Sequence, residues 1–226
     1  GLGFEDLLNF HMISGDENYW RMMREYGKDA SSLLEFDLSK DADHFAAEEG
    51  IAFEQLLSVD DLVDDIHDVY DTSIYGYNRP VEITGPYSED YTQLRTWVLP
   101  SLLMVLENNT HRAYPQDLAE IGLAAEVDES ENTNVAERRS IGAVLARNDA
   151  TYEDAKARLA ALCDDFGVNL ETPPTDHPTF IDGRVADVVI DGETVGVIGE
   201  IHPAVLVEHD LELPVAAFEF RLDALQ

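Results

Sequence analysis

Cysteine, lysine and long apolar runs are what this chain has least of. The single cysteine, Cys163, leaves no partner for an internal disulfide and no CxxC pair for a metal. It falls on the apolar stripe of a helix, which predicts a buried, inert thiol. Basic residues number 14 in 226, three of them Lys (Lys28, Lys40, Lys156), against 47 acidic residues, for a formal net charge of −33. A chain so poor in cations offers no surface to a phosphate backbone, so independent nucleic-acid binding is not expected. No run reaches the roughly 18 uninterrupted apolar residues that a membrane-crossing helix needs. Gly1-Leu2-Gly3-Phe4-Glu5 has neither the charged nor the apolar region of a signal peptide. A start in mid-pattern suggests a fragment of a longer protein.

Catalytic signatures are equally scarce. None of the seven histidines forms HExxH. His177 and His202 each precede proline, which biases them to extended backbone, and a zinc site drawn from His177, His202 and His209 is disfavoured. Ser14, Ser73 and Ser101 lack the Gly-x-Ser-x-Gly elbow. Gly192, Gly196 and Gly199 fall inside a hairpin, away from the helix N-terminus that a phosphate loop requires. Glu200 beside His202 reads as a charged rim residue at a strand end rather than an acid–base pair.

What is present is 45% apolar content with clear periodicity, enough for a real core and against disorder. Folded and coated with carboxylates, the chain suits a cytoplasm at molar salt. There the Debye length is about 3 Å, and surface self-repulsion is screened.

Along the chain, alternation from Leu8 to Ile13 predicts a strand. Residues 28–80 are acidic. They hold a helix capped by Ser58, with Val59, Leu62, Val63, Ile66, Val69 and Tyr70 on one face and Asp60, Asp61, Asp64, Asp65 and Asp68 on the other. That carboxylate face lacks the converging loop of a calcium site and reads as solvated. Pro100 starts an apolar helix lined by Leu102, Leu103 and Leu106. Strands are expected around Leu118–Val127 and Ser140–Arg147, joined by the loop Asp128–Asn134. Residues 152–166 form the clearest helix, between the cap Thr151 and the stop Gly167. Val185–Ile190 and Thr194–Ile201 pair through Asp191-Gly192, a short helix opens at His202-Pro203, and Val215–Leu222 is a last strand. The pattern predicts an α+β fold, an antiparallel sheet with flanking helices mainly on one face.

Several segments, in order, carry a resemblance. They are Gly1-Leu2-Gly3-Phe4-Glu5-Asp6; Tyr87-Ser88-Glu89-Asp90-Tyr91 leading to Leu94-Arg95-Thr96 and Leu99-Pro100; Asn108-Asn109; Tyr114-Pro115; and Glu120-Ile121-Gly122. Then come His177-Pro178-Thr179-Phe180 with Gly183-Arg184; Gly196-Val197-Ile198-Gly199-Glu200-Ile201-His202-Pro203; and Phe218-Glu219. The set resembles the C-terminal part of the archaeal-type phenylalanyl-tRNA synthetase β subunit, here from a halophilic source. It covers residues 1–26 and 86–226 of a single domain 1–226, with residues 28–80 departing as an acidic helical insertion.

The resemblance implies a class II aminoacyl-tRNA synthetase core that is catalytic-like, the chemistry residing in the α subunit. Class II sites bind ATP through an Arg on one strand and another after a glycine-rich strand, because guanidinium suits phosphate and adenine. After Gly122 this chain has Leu123-Ala124-Ala125-Glu126, and Glu219, Arg221 and Ala224 stand where two glycines and an Arg belong. A carboxylate facing triphosphate repels it. No catalytic, cofactor-binding or metal residue is therefore expected in this chain, while the whole enzyme uses ATP and Mg²⁺. The implied partner is a catalytic α subunit in an (αβ)2 heterotetramer, with tRNA-Phe met only in the holoenzyme, in the cytoplasm and away from membranes.

Arg95, Leu99, Pro100, Leu102, Leu103, Leu106, Glu120, Arg184, Glu200 and Glu219 are the candidate interface or structural residues. Arg95 is expected to hold a loop against the sheet, and the helix from Leu99 to Leu106 to pack as core or subunit interface. Two alternatives are a class II-like domain with its own amino-acid or nucleotide binding, and a free-standing interaction module.

Overall fold

A computed structural model describes residues 5–7, 12–14, 20–22, 74–86, 88 and 91–226. The acidic helix expected at 59–70 lies outside them. Short strands β1 (Glu5–Leu7) and β2 (Met12–Ile13) precede a 3-10 turn, Trp20–Met22, and strand β3 (Gln93–Leu94). Next come helix α1 (Leu99–Asn108), strands β4 (Gln116–Val127) and β5 (Val135–Ala146), and helix α2 (Tyr152–Phe166). Strands β6 (Leu170–Glu171), β7 (Phe180–Ile190) and β8 (Glu193–Ile201), helix α3 (Pro203–Glu208), strand β9 (Val215–Arg221) and a 3-10 turn at Leu222–Leu225 complete the order.

Seven strands make one sheet in the order β1-β4-β5-β9-β8-β7-β6, and β2 with β3 forms a separate ribbon. All pairs in the large sheet are antiparallel except β1–β4. Of the strand expected from Leu8 to Ile13, Met12–Ile13 is seen as a strand and residues 8–11 lie outside the described residues, while Glu5–Leu7 joins the main sheet. β4 and β5 stay in register from Gln116↔Ala146 to Val127↔Val135. Their loop closes where expected, because the Asp128 carboxylate accepts from Ser130 N and Oγ at 2.8 and 2.6 Å, and Asn134 takes φ 56°. The β7–β8 turn places Asp191 and Gly192 at φ 50° and 88°, the left-handed pair that a tight hairpin needs. β7 begins at Phe180, earlier than the alternation indicates, because an irregularity between Phe180 and Val185 breaks the period.

Helices cover both faces of the sheet, not mainly one. One core layer joins α1 and α3 residues to Leu118, Val144, Val197 and Ala217; the other joins α2 to Ile141, Leu145, Ile198, Phe218 and Phe220. The signal lies in β5: from Ser140 to Ala146 every residue is buried, as in a strand covered on both sides. Residues 74–80, counted with the acidic segment in the sequence, belong to this structure: Gly76 and Tyr77 are buried, and Pro80 bridges to Glu126.

α2 follows its local code. The Thr151 hydroxyl accepts from Asp154 N while the Asp154 carboxylate accepts from Thr151 N at 3.1 Å. Gly167 closes the other end at φ 73°. Cys163 is buried under this helix, and burial raises its thiol pKa. Among the described residues, no helix is long and apolar enough to cross a membrane.

Candidate functional site

A row of registered residues crosses the sheet beneath α1: Glu120 on β4, Gly142 on β5, Glu219 on β9 and Val197 on β8. Two buried carboxylates thus flank a glycine. Gly142 is small because α1 lies on it: an added Cβ would sit 3.0 Å from Val98 Cγ1 and 3.2 Å from Leu102 Cδ1. The first turn of α1 is in this way pressed between the two glutamates.

Arg95 answers Glu120. Both side chains are fully buried, with Arg95 Nη2 2.5 Å from Glu120 Oε1. The guanidinium also donates to Leu123 O at 3.0 Å and to Ser101 Oγ at 2.9 Å, so three of its nitrogens are bonded. Gly122 makes room for it, since a Cβ there would lie 2.1 Å from Nη2.

Glu219 answers the helix. Val98 at the N-cap offers no side-chain acceptor. Glu219 Oε2 instead accepts from the Val98 and Leu99 N–H groups at 2.8 and 2.9 Å, and Oε1 from Tyr75 OH at 3.4 Å. A carboxylate at a helix N-terminus meets both orphan donors and the positive end of the dipole. Burial pushes its pKa up to about 7, against the pull of the two N–H bonds and of Arg138 and Arg95. Tyr75 is raised in turn, by burial first and by Glu219 second. Arg138, beside its ring, is held by Glu126 at 2.7 Å and by Thr96 O at 3.1 Å.

The loop before α1 completes the cover. Trp97 is fully buried over Gly76, where a Cβ would come 2.3 Å from the indole, and φ is +87°. Its ring lies 5.6 Å from Tyr77 and 5.7 Å from His177. His177 Nδ1 accepts from Thr179 N, so Nε2 carries the proton and donates to Tyr75 O at 2.9 Å.

Eight of the ten residues picked out in the sequence meet here: Arg95, Leu99, Pro100, Leu102, Leu103, Leu106, Glu120 and Glu219 form one buried assembly on the α1 face. Leu99, Leu102, Leu103 and Leu106 are buried in this chain's own core, so the interface alternative does not apply to those side chains. Arg184 and Glu200 lie apart from them, on the α2 side. There they pair at 2.6 Å, and Glu200 Oε1 accepts from Tyr152 N at the start of α2. They border a cleft of about 480 Å³ with Thr151, Thr172 and Pro174.

Tyr75 and Arg138 escaped the sequence reading. Tyr75 and Tyr77 flank Gly76 at the end of an acidic stretch, and only the paired aromatics marked it. Arg138 stands opposite Ala124, so the neighbouring strand supplies a guanidinium beside the stretch that lacks one.

His202 and His209 do separate work. His202 Nδ1 accepts from Ala204 N to cap α3. His209, fully buried at the end of α3, donates from Nδ1 to Glu107 Oε2 at 3.3 Å. Its pKa falls to about 3 through burial and the nearby Arg21.

Residues 1–222 match the family model described as "Phenylalanyl tRNA synthetase beta chain CLM domain". Similar proteins include the phenylalanine–tRNA ligase beta subunits of Halorubrum lacusprofundi, 59% identical over 226 residues, and Haloarcula marismortui, 60% over 225. Both alignments cover 100% of this chain and 32% of the relative. The Thermococcus kodakarensis beta subunit is 44% identical over 153 residues, 66% of this chain and 27% of the relative. The chain thus spans about a third of the length of its full-coverage relatives. In fold it resembles a pyrrolysyl tRNA synthetase from Desulfitobacterium hafniense, with TM-score 0.59 and 12% identity over 99% of this chain and 62% of that one.

Proposed function

This chain belongs to the phenylalanyl-tRNA synthetase beta chain family, and on that premise we propose that it is a structural, non-catalytic module of a phenylalanine–tRNA ligase. In this reading it assembles with a catalytic α subunit as an (αβ)2 heterotetramer in the cytoplasm, and meets tRNA-Phe only within that enzyme. The fold is that of a class II synthetase core, a reading supported by the likeness to a pyrrolysyl tRNA synthetase.

The single observation that carries the non-catalytic role is the filled sheet face. Where a class II core holds ATP, Glu219 presents a buried carboxylate, and α1 with Trp97 lies over the strands. Triphosphate requires cations and open backbone donors. Here the donors at the start of α1 are taken by Glu219, and Arg95 and Arg138 are committed to Glu120 and Glu126. The residues do not fit ATP or Mg²⁺. They immobilise the strand–helix joint, so the module serves as a rigid support on which a partner's own site is assembled.

Purified β subunit and α subunit mixed in molar KCl should form a stable complex with ligase activity, while the β subunit alone forms no phenylalanyl-adenylate. Adenylate formation by β alone would overturn the non-catalytic reading. Titration calorimetry with ATP and phenylalanine separates it from the alternative of an independent ligand site, since a filled face gives no heat of binding.

A further inference from the structure

The two buried carboxylates under α1 are not neutralised alike. Glu120 has the Arg95 guanidinium. The cations near Glu219 are already taken, Arg95 by Glu120 and Arg138 by Glu126. β8 sets Val197 beside Glu219, and α1 offers it main-chain N–H groups. Ionised, Glu219 is thus a buried anion with no cation of its own among the described residues. Both N–H bonds from α1 fall on Oε2, so among the described residues Oε1 meets one group, Tyr75 OH at 3.4 Å. That hydroxyl lies 3.3 Å from Oγ of Ser140, which is fully buried.

This chain of three groups is complete when Glu219 is protonated: Oε1–H donates to the Tyr75 oxygen, and Tyr75 O–H donates to Ser140 Oγ. Without that proton Tyr75 turns its O–H to Oε1, and the carboxylate is left out of water, where an ion is costly. One side chain separates it from solvent. Tyr75 is half-buried with its hydroxyl inward, whereas Oε2 lies beneath the first turn of α1. The residues that follow are anchored on their own, by Thr96 Oγ1 donating to Gly76 O at 2.6 Å and Tyr77 OH donating to Met22 O at 3.1 Å. Tyr75 can therefore rotate away without unseating Gly76, Tyr77 or the helix.

We propose that Tyr75 is a pH-operated cover, seated on Glu219 Oε1 while the carboxyl holds its proton and swung out to admit water as the carboxyl ionises. In the open form the carboxyl regains its ordinary acidity, so that form binds fewer protons and rising pH favours it. The closed form's pKa of about 7 sets the change across neutrality. In full-length β subunit in molar KCl, a fluorotyrosine at position 75 reports exposure through the H2O/D2O shift of its fluorine resonance. From pH 6 to pH 8 the open population should rise about tenfold. Protection of the Leu102 amide, bonded to Val98 O at 3.3 Å in the first turn of α1, should stay unchanged. Glu219→Gln should make the resonance independent of pH over that range. His177→Gln should leave the rise in place, although His177 is a second titratable group on Tyr75, through the main-chain O. A wild-type resonance unchanged from pH 6 to pH 8 overturns the proposal. A rise that survives Glu219→Gln, or is lost in His177→Gln, assigns the proton elsewhere and overturns it too. Loss of Leu102 protection in step with Tyr75 overturns it in favour of undocking of the whole helix. Thermal unfolding verifies that each variant is folded, and if Glu219→Gln is not, the wild-type response and His177→Gln decide.

Discussion

The carboxylate of Glu219 lies out of water and still accepts two main-chain N–H bonds, so its proton reports on the whole joint. Its native pKa of about 7 stands above the unfolded 4.5. Between those values the native state holds more protons than the unfolded chain, so stability falls as pH rises through the window and the loss is complete above about pH 8. Glu219→Gln removes that titration. From pH 4 to pH 8 the stability difference between the two proteins should move in the variant's favour by about 3 kcal/mol. Denaturant unfolding across that range checks it, and a difference that does not change with pH would sink it. Arg95 and Glu120 make a different case, because both are desolvated and they pair at 2.5 Å. Arg95→Met should cost about 3–5 kcal/mol by stranding Glu120, whereas Arg95→Met with Glu120→Leu should recover most of the loss. Unfolding of the two variants in molar KCl compares them directly. The types at both sites were visible in the chain, but nothing local paired Arg95 with a residue 25 positions on, or Glu219 with Val98.

α1 and α2 show the two ways in which a helix is specified. α2 carries its own instructions: a capping box at Thr151 and Asp154, an apolar stripe, and a left-handed glycine at the end. Thr151→Ala should therefore destabilise by about 1 kcal/mol, measurable by thermal unfolding. α1 carries only Pro100 and its leucines, and its missing cap arrives from β9. That helix was legible as apolar and Pro-started, while its role as core rather than interface was not. Periodicity reports that a face is buried and does not report which surface buries it. The same limit explains the helices on both faces of the sheet. Strands buried on both sides read as continuous apolar runs and carry no alternation to show which face a helix covers.

For the whole molecule the governing quantity is net charge. With 47 acidic against 14 basic residues, and most described arginines tied into ion pairs, self-repulsion in dilute buffer is long-ranged. At about 0.01 M salt the Debye length is roughly 30 Å, against 3 Å at 1 M. The folded state should persist in molar KCl and lose its far-UV circular dichroism signal on dialysis to millimolar salt. A chain that keeps its unfolding temperature without salt would refute the halophilic reading.

By itself the sequence determined the family, the α+β class, most strands, both ends of α2 and the large excess of negative charge. These follow from ordered segments, short-range caps and turns, and composition, all written within a few residues or averaged over the chain. Only the tertiary structure decided that Glu120, Gly142 and Glu219 share one row, that Glu219 caps a helix about 120 residues earlier, and that Trp97 and α1 fill the sheet face. The reason is physical. Register brings distant residues within one strand spacing, and removal of water then fixes which charges must pair.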